Sequence, residues 1–193
     1  MENNTVRKQL PAYAVLCIIS LAAAVVLAAT NMITRGPIAQ HQQEALQAAL
    51  SAVLPADTYE QLTVPEGYDV TGLYTAVKDG ETVGWCVTAS ATGYGGDVAV
   101  TLGVDQHGVV TGCVLGDLNF AETAGYGARA KEPDFQAQFI GMDALAGGTF
   151  DALSGATVTS EAVRKAADNA LTCVVAVAMG KTPASPAVSF SGR

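Results

Sequence analysis

The chain has 193 residues, half of them hydrophobic and only 15% charged, with a mean hydropathy of +0.30. That composition excludes a disordered chain and leaves one modest globular domain carrying an apolar appendage. Ten Lys and Arg stand against eighteen Asp and Glu, a formal net charge of -8, which excludes a general nucleic-acid binder because phosphate backbones need clustered cations.

The charge is uneven along the chain. Residues 1–35 carry Arg7, Lys8 and Arg35 against Glu2, so the remainder holds seven cations against seventeen carboxylates. Between Lys8 and Arg35 no residue is charged, and residues 10–33 read LPAYAVLCIISLAAAVVLAATNMI, about 36 Å long as a helix. That length crosses the hydrocarbon core of a bilayer with some tilt, and a helix is the form expected because backbone groups in lipid need internal partners. A cleaved signal peptide is the rival reading, given the small residues around Ala28 and Ala29, but the run exceeds the usual signal-peptide core. Arg7 and Lys8 precede it, whereas Arg35 stands alone until Lys78. The N-terminus is therefore expected in the cytoplasm and the body outside, as a single-pass protein of the cell membrane. Cys17, inside the run, reads as a small lipid- or helix-facing residue.

Gly36 and Pro37 interrupt the pattern. Ile38, Ala45, Leu46, Ala49, Leu50 and Val53 then recur at helical spacing until Pro55. From residue 68 to about 116 the signal changes to short β segments: 68–77 leads through Lys78-Asp79-Gly80-Glu81 into 82–91, and 97–104 leads through Asp105-Gln106-His107-Gly108 into 109–115. An antiparallel meander with one apolar face is expected. A short helix near 133–140 follows, then a last helix near 160–179 with an apolar stripe of Val163, Ala167, Ala170, Leu171, Val174 and Ala178, ended by Gly180. The expected class is α+β, an antiparallel sheet with packed helices. Its expected parts are a cytoplasmic tail at 1–9, a transmembrane helix at 10–34, a membrane-proximal linker helix at 35–60, the main domain at 61–181 and a flexible tail at 182–193.

Just before the last helix the chain reads Asp151-Ala152-Leu153-Ser154-Gly155-Ala156-Thr157-Val158-Thr159-Ser160. Four hydroxyls surround a Gly-Ala pair where a helix start leaves amide N–H groups without partners. One reading is an N-cap, with Thr159 or Ser160 satisfying those amides. The other is a phosphate site, because small residues permit close backbone approach and a helix start favours an anion. Spacing alone does not choose among the four hydroxyls.

This segment resembles the flavinylation motif of FMN-binding domains. Gly93-Tyr94-Gly95-Gly96-Asp97 is similar to the family's GYGG turn, Glu122-Thr123-Ala124-Gly125-Tyr126-Gly127 to its ETxGxG loop, and Phe135-Gln136-Ala137-Gln138-Phe139 to the segment that follows. With the N-terminal anchor, the chain resembles over essentially its whole length the G subunits of Rnf electron-transport complexes. The related C subunits of sodium-pumping quinone reductases carry a similar motif but are usually larger. Many members have His two residues before the loop Glu and Pro after its Thr. Phe120 and Ala124 stand there in this chain, which argues against a proton or hydrogen-bond role at position 120.

The resemblance implies that a flavin transferase moves FMN from FAD onto Thr157 as a phosphodiester, with Ser154, Gly155, Ala156 and Thr159 around the phosphate and Asp151 recognised by the transferase or its metal ion. It implies that Glu122 and Thr123 contact the flavin ring or ribityl chain and that Tyr94 and Gly95 line its pocket. It further implies a membrane-anchored flavoprotein subunit, partnered by the other Rnf membrane subunits, that relays electrons during ion-coupled transfer between ferredoxin and NAD. The alternatives are an extracytoplasmic flavoprotein serving another acceptor, or a non-redox anchored binding module. Trp85, Tyr74 and Tyr94 read as core aromatics more than flavin platforms. His41 and His107 read as surface residues. Cys86, Cys113 and Cys173 lack CxxC spacing and read as small buried residues rather than metal ligands, with a Cys86–Cys113 disulfide left open.

Overall fold

The computed structural model describes residues 11–117 and 120–191; the expected cytoplasmic tail, with Arg7 and Lys8, lies outside them. The chain divides into two compact units, 1–43 and 44–193. A long helix α1, Ala12–Val53, runs through the boundary. It continues through Gly36 and Pro37, where the sequence led us to expect an interruption: Pro37 removes one backbone donor but does not end the helix.

Within the first unit the apolar side chains of Leu16, Ile18, Leu21 and Leu27 are all exposed. A helix apolar on every side has no water-facing stripe and is suited to lipid. It is long and apolar enough to cross a membrane. Thr30 and Thr34 donate their hydroxyls to the carbonyls of Val26 and Thr30, both at 2.9 Å, so neither leaves an unpaired donor in that apolar stretch.

The second unit is built on a five-stranded antiparallel meander, β1 Thr58–Leu62, β2 Gly72–Lys78, β3 Glu81–Thr92, β4 Asp97–Asp105 and β5 Val110–Leu115, in sequential order. The expected 78–81 hairpin forms, with Asp79 and Gly80 both at positive φ (54° and 81°), as a tight two-residue turn between right-twisted strands requires. After the sheet come a 3-10 turn Gly127–Lys131, helix α2 Pro133–Ala137, strand β6 Gly148–Phe150, helix α3 Thr157–Cys173 and a wider π turn Val174–Ala178. Strand β7 Val188–Phe190 pairs in parallel with β6.

The sheet is covered on both faces, not one as the sequence led us to expect. On one face α3 lies over β3 and β4, burying Ala162, Val163, Ala166, Ala167, Ala170 and Leu171 against Val87, Ala89, Val98, Val100 and Leu102. On the other, Leu50 and Val53 in the last turns of α1, with Leu54 just after it, are buried against Ala76 and Cys86. Gly103 and Gly112 are cross-strand partners, and a Cβ on either would run into the backbone of Val53. The pair therefore makes the seat for the end of α1, which Thr111 fastens by donating its hydroxyl to the Val53 carbonyl at 2.7 Å.

Two further expectations need correction. Residues 58–60, placed in the linker helix, belong with 61 and 62 to the edge strand β1, which pairs with β2. The segment 182–193, read as loose, contains β7: Asp168 on α3 accepts the backbone N–H groups of Ala187 (2.6 Å) and Val188 (3.0 Å), and both residues are buried. The pairing of Cys86 with Cys113, left open by the sequence, does not form: both are free and buried and belong to the clusters on opposite faces of the sheet.

Burial pushes the Cys86 thiol up to about 12 from the ordinary 9.0 and raises the Cys113 and Cys173 thiols as well. The fold holds them neutral while the unfolded chain ionises them near pH 9, so their contribution is whole below that pH and is lost as pH rises toward 12. Urea unfolding of the detergent-solubilised chain is expected to show stability falling above pH 9, by at most about 1.4 kcal/mol per pH unit for each thiol, with a shallower fall in Cys86→Ala.

Candidate functional site

Packing α3 against β3 and β4 places its first turn beside two loops, the 93–96 turn between β3 and β4 and the loop that begins at Glu122. Together they enclose a cavity of about 450 Å³ lined by Tyr94, Glu122, Thr123, Tyr126, Gly127, Gly155, Ala156, Thr157, Val158 and Thr159. Three segments that the sequence singled out separately thus meet at one place.

The four hydroxyls of the SGATVTS stretch have different fates. Ser160 is fully buried; its hydroxyl donates to the Ala156 carbonyl at 3.0 Å and accepts the Leu153 N–H at 2.9 Å. Thr159 is 2% exposed and donates to Glu122 Oε2 at 3.0 Å. Ser154 is exposed and is not among the residues lining the cavity. Thr157 is both exposed and part of the lining.

No side chain caps α3: the N-cap residue is Ala156, and α3 begins at Thr157. Ser160, at the end of the motif, instead ties the turn before the helix to its first turn. Gly155 has φ +76°, and a Cβ there would lie 3.3 Å from the Tyr126 ring. The lining holds no Lys or Arg, so the positive character it offers an anion is the helix start itself.

Glu122 joins the three segments. Its Oε1 accepts the N–H groups of Tyr94 (2.9 Å) and Gly95 (3.4 Å), and its Oε2 accepts the Thr159 hydroxyl. A Cβ on Gly93 or on Gly127 would collide with this carboxylate, and one on Gly95 would strike the Ala121 carbonyl. Gly95 itself is outside the lining, so it serves close packing rather than the cavity wall. Tyr94 is 77%, Tyr126 58% and Val158 52% exposed, which leaves two aromatic faces and an aliphatic one at the cavity.

Of the other sequence candidates, Asp151 is exposed, with its backbone N–H donated to Gln138 at 2.7 Å, and does not line the cavity. Trp85 packs against the larger core and Tyr74 against the smaller; neither lines the cavity. His41 and His107 are exposed, as read from the sequence. Tyr126, Gly127 and Val158 line the cavity without having been singled out as site residues. The available signal was a large aromatic between two glycines in a loop.

Residues 93–172 match the family model of the FMN-binding domain, a span that contains every residue of the cavity lining. Over 175 residues the chain is 33% identical to the G subunit of the Na(+)-translocating ferredoxin:NAD(+) oxidoreductase complex of Acetobacterium woodii, covering 77% of this chain and 83% of that protein. The chain belongs to this family of G subunits. A second member, the G subunit of the ion-translocating oxidoreductase complex of Methanosarcina acetivorans, is 32% identical over 82% of this chain and 90% of its own length. Among solved structures, the C subunit of the Na(+)-translocating NADH-quinone reductase of Parabacteroides distasonis superposes with a TM-score of 0.47 at 22% identity, over 54% of this chain and 60% of that one.

The residues present fit the cofactor class the family implies. An uncapped helix start suits a phosphate, the volume lies in the range of cofactor sites, and the exposed tyrosine faces suit an aromatic ring system. Because the hydroxyls differ in their internal bonds, their removal is expected to differ in cost. Ser160→Ala should lower stability by about 1–2 kcal/mol by leaving the buried Leu153 N–H unpaired, whereas Thr157→Ala should stay within about 0.5 kcal/mol of the parent; thermal or urea unfolding measures both.

Proposed function

We propose that this chain is the flavin-carrying subunit of an ion-translocating ferredoxin:NAD oxidoreductase of the Rnf type, holding FMN through a phosphodiester to Thr157. One observation carries the choice of residue: of the four hydroxyl-bearing residues of the motif, Thr157 is the one both exposed and part of the cavity wall.

In the attachment step the Thr157 Oγ–phosphorus bond forms as the pyrophosphate bond of FAD breaks, AMP leaves and the hydroxyl proton passes to the transferase. Gly155 and Ala156 keep the approach to Thr157 free of large side chains, and the amides at the start of α3 would stabilise the charge remaining on a phosphodiester there. Tyr94, Tyr126 and Val158 offer the apolar surface beside it. When bound, FMN supplies reversible electron transfer, with its potential set by the polarity and hydrogen bonding of the surrounding residues. Such a relay needs no general base or nucleophile of its own. Tethering keeps the site loaded where free FMN is scarce.

Asp151, exposed, outside the cavity lining and six residues before Thr157, serves recognition by the transferase in this reading, since a carboxylate would repel a phosphate rather than hold it. The apolar part of α1 is a membrane span, with the N-terminus cytoplasmic and the domain outside, as the cation bias supports. The other membrane subunits of the complex are its partners.

Coexpression with a flavin transferase, followed by denaturing electrophoresis, tests this assignment. The parent and Ser154→Ala are expected to give a fluorescent band and an intact mass raised by one FMN less water. Thr157→Ala should give neither, and Asp151→Ala should load more slowly at the same residue. A flavin retained in Thr157→Ala, or a parent protein purified bare, would overturn it.

A further inference from the structure

Of the residues lining the cavity, Glu122 is the ionisable group whose position the surrounding structure defines most fully. Three donors from two other segments converge on its carboxylate: the Tyr94 and Gly95 N–H groups and the Thr159 hydroxyl. The 93–96 turn has one backbone bond of its own, from the Gly93 N–H to the Gly96 carbonyl at 2.8 Å. Thr159 is nearly fully buried, so a side chain at 122 too short to reach it would leave its hydroxyl without that partner in the interior. Glycine at 93 and 127 leaves room for the carboxylate between the segments.

Resting on the reading of Thr157 above, we infer that Glu122 is the positioning residue of the flavin site: by bridging the 93–96 turn to the first turn of α3 it sets the Tyr94 wall of the cavity and the presentation of Thr157, two residues from Thr159. This differs from a ring contact. Its requirement is geometric, a side chain long enough to reach both segments with a hydrogen-bonding atom on each arm, and it does not depend on negative charge. Glutamine meets it, since its carbonyl oxygen accepts the Tyr94 and Gly95 N–H groups while its amide donates to the Thr159 hydroxyl. Aspartate keeps the charge but is one methylene shorter.

The test uses the full chain coexpressed with the transferase, following the rate of covalent loading by intact mass, the visible circular dichroism of the loaded protein and its thermal unfolding. Glu122→Asp is expected to load about ten- to a hundredfold more slowly, as a misplaced reacting group does, with an altered flavin dichroism, and Glu122→Gln to restore both. A folded Glu122→Asp protein that loads at the parent rate with the parent spectrum overturns the proposal, as does a Glu122→Gln protein as impaired as Glu122→Asp. Should Glu122→Asp not fold, Thr159→Val, which removes one arm alone, decides in the same way: slower loading supports the bridge and unchanged loading overturns it. If the parent takes no covalent flavin, the reading of Thr157 falls by itself. Amide exchange in the flavin-free chain then decides the bridge, supporting it if Tyr94 and Gly95 exchange faster in Glu122→Asp and overturning it if they do not.

Discussion

How closely a helix can approach a sheet is set by the side chains between them, and α3 meets β3 and β4 chiefly through alanines. Ala162, Ala166, Ala167 and Ala170 recur at three- and four-residue spacing, so one narrow stripe faces Val87, Ala89, Val98, Val100 and Leu102 and excludes water from both. The site depends on this contact. It carries the start of α3 to the end of the sheet where β3 turns into β4, and the Glu122 loop closes the space between. Larger residues along the stripe would lift the helix and part Thr159 from its acceptor.

The helix start itself is arranged in an unusual division of labour. Motif hydroxyls that would ordinarily cap a helix are drawn inward: Ser160 braces the preceding turn and Thr159 bonds Glu122. Alanine occupies the N-cap, so no side chain competes there for the first amides. In a domain of strongly acidic balance, with no cation in the cavity lining, a helix start is the source of positive character that costs no added charge. An anion held there is bound locally, without a basic surface that would attract nucleic acid or other polyanions.

The opposite face of the sheet does a separate job. Gly103 and Gly112 lie side by side and admit the backbone of Val53, and Thr111 bonds its carbonyl. The residues at the end of the long helix are thereby built into the second core with Leu50, Leu54 and Cys86. The last turns of α1, from Glu44 on, therefore belong to the folded domain.

Much was determined by the sequence alone. The uncharged run before Arg35, the meander with its Asp79-Gly80 turn, the apolar stripe of the last helix and the presence of the GYGG, ETAGYG and SGATVTS motifs are local patterns, set by solvent and by backbone geometry that neighbours in the chain impose on one another. The tertiary structure decided the rest, because its causes are contacts between distant residues. Strand β1 takes its identity from pairing with β2, and β7 from two bonds to Asp168, neither of which leaves a periodic trace. The distinction among four similar hydroxyls came from burial and from the cavity: once α3 is seated, Thr159 and Ser160 have partners thirty-seven and seven residues away, Ser154 is exposed outside the lining, and Thr157 is exposed within it.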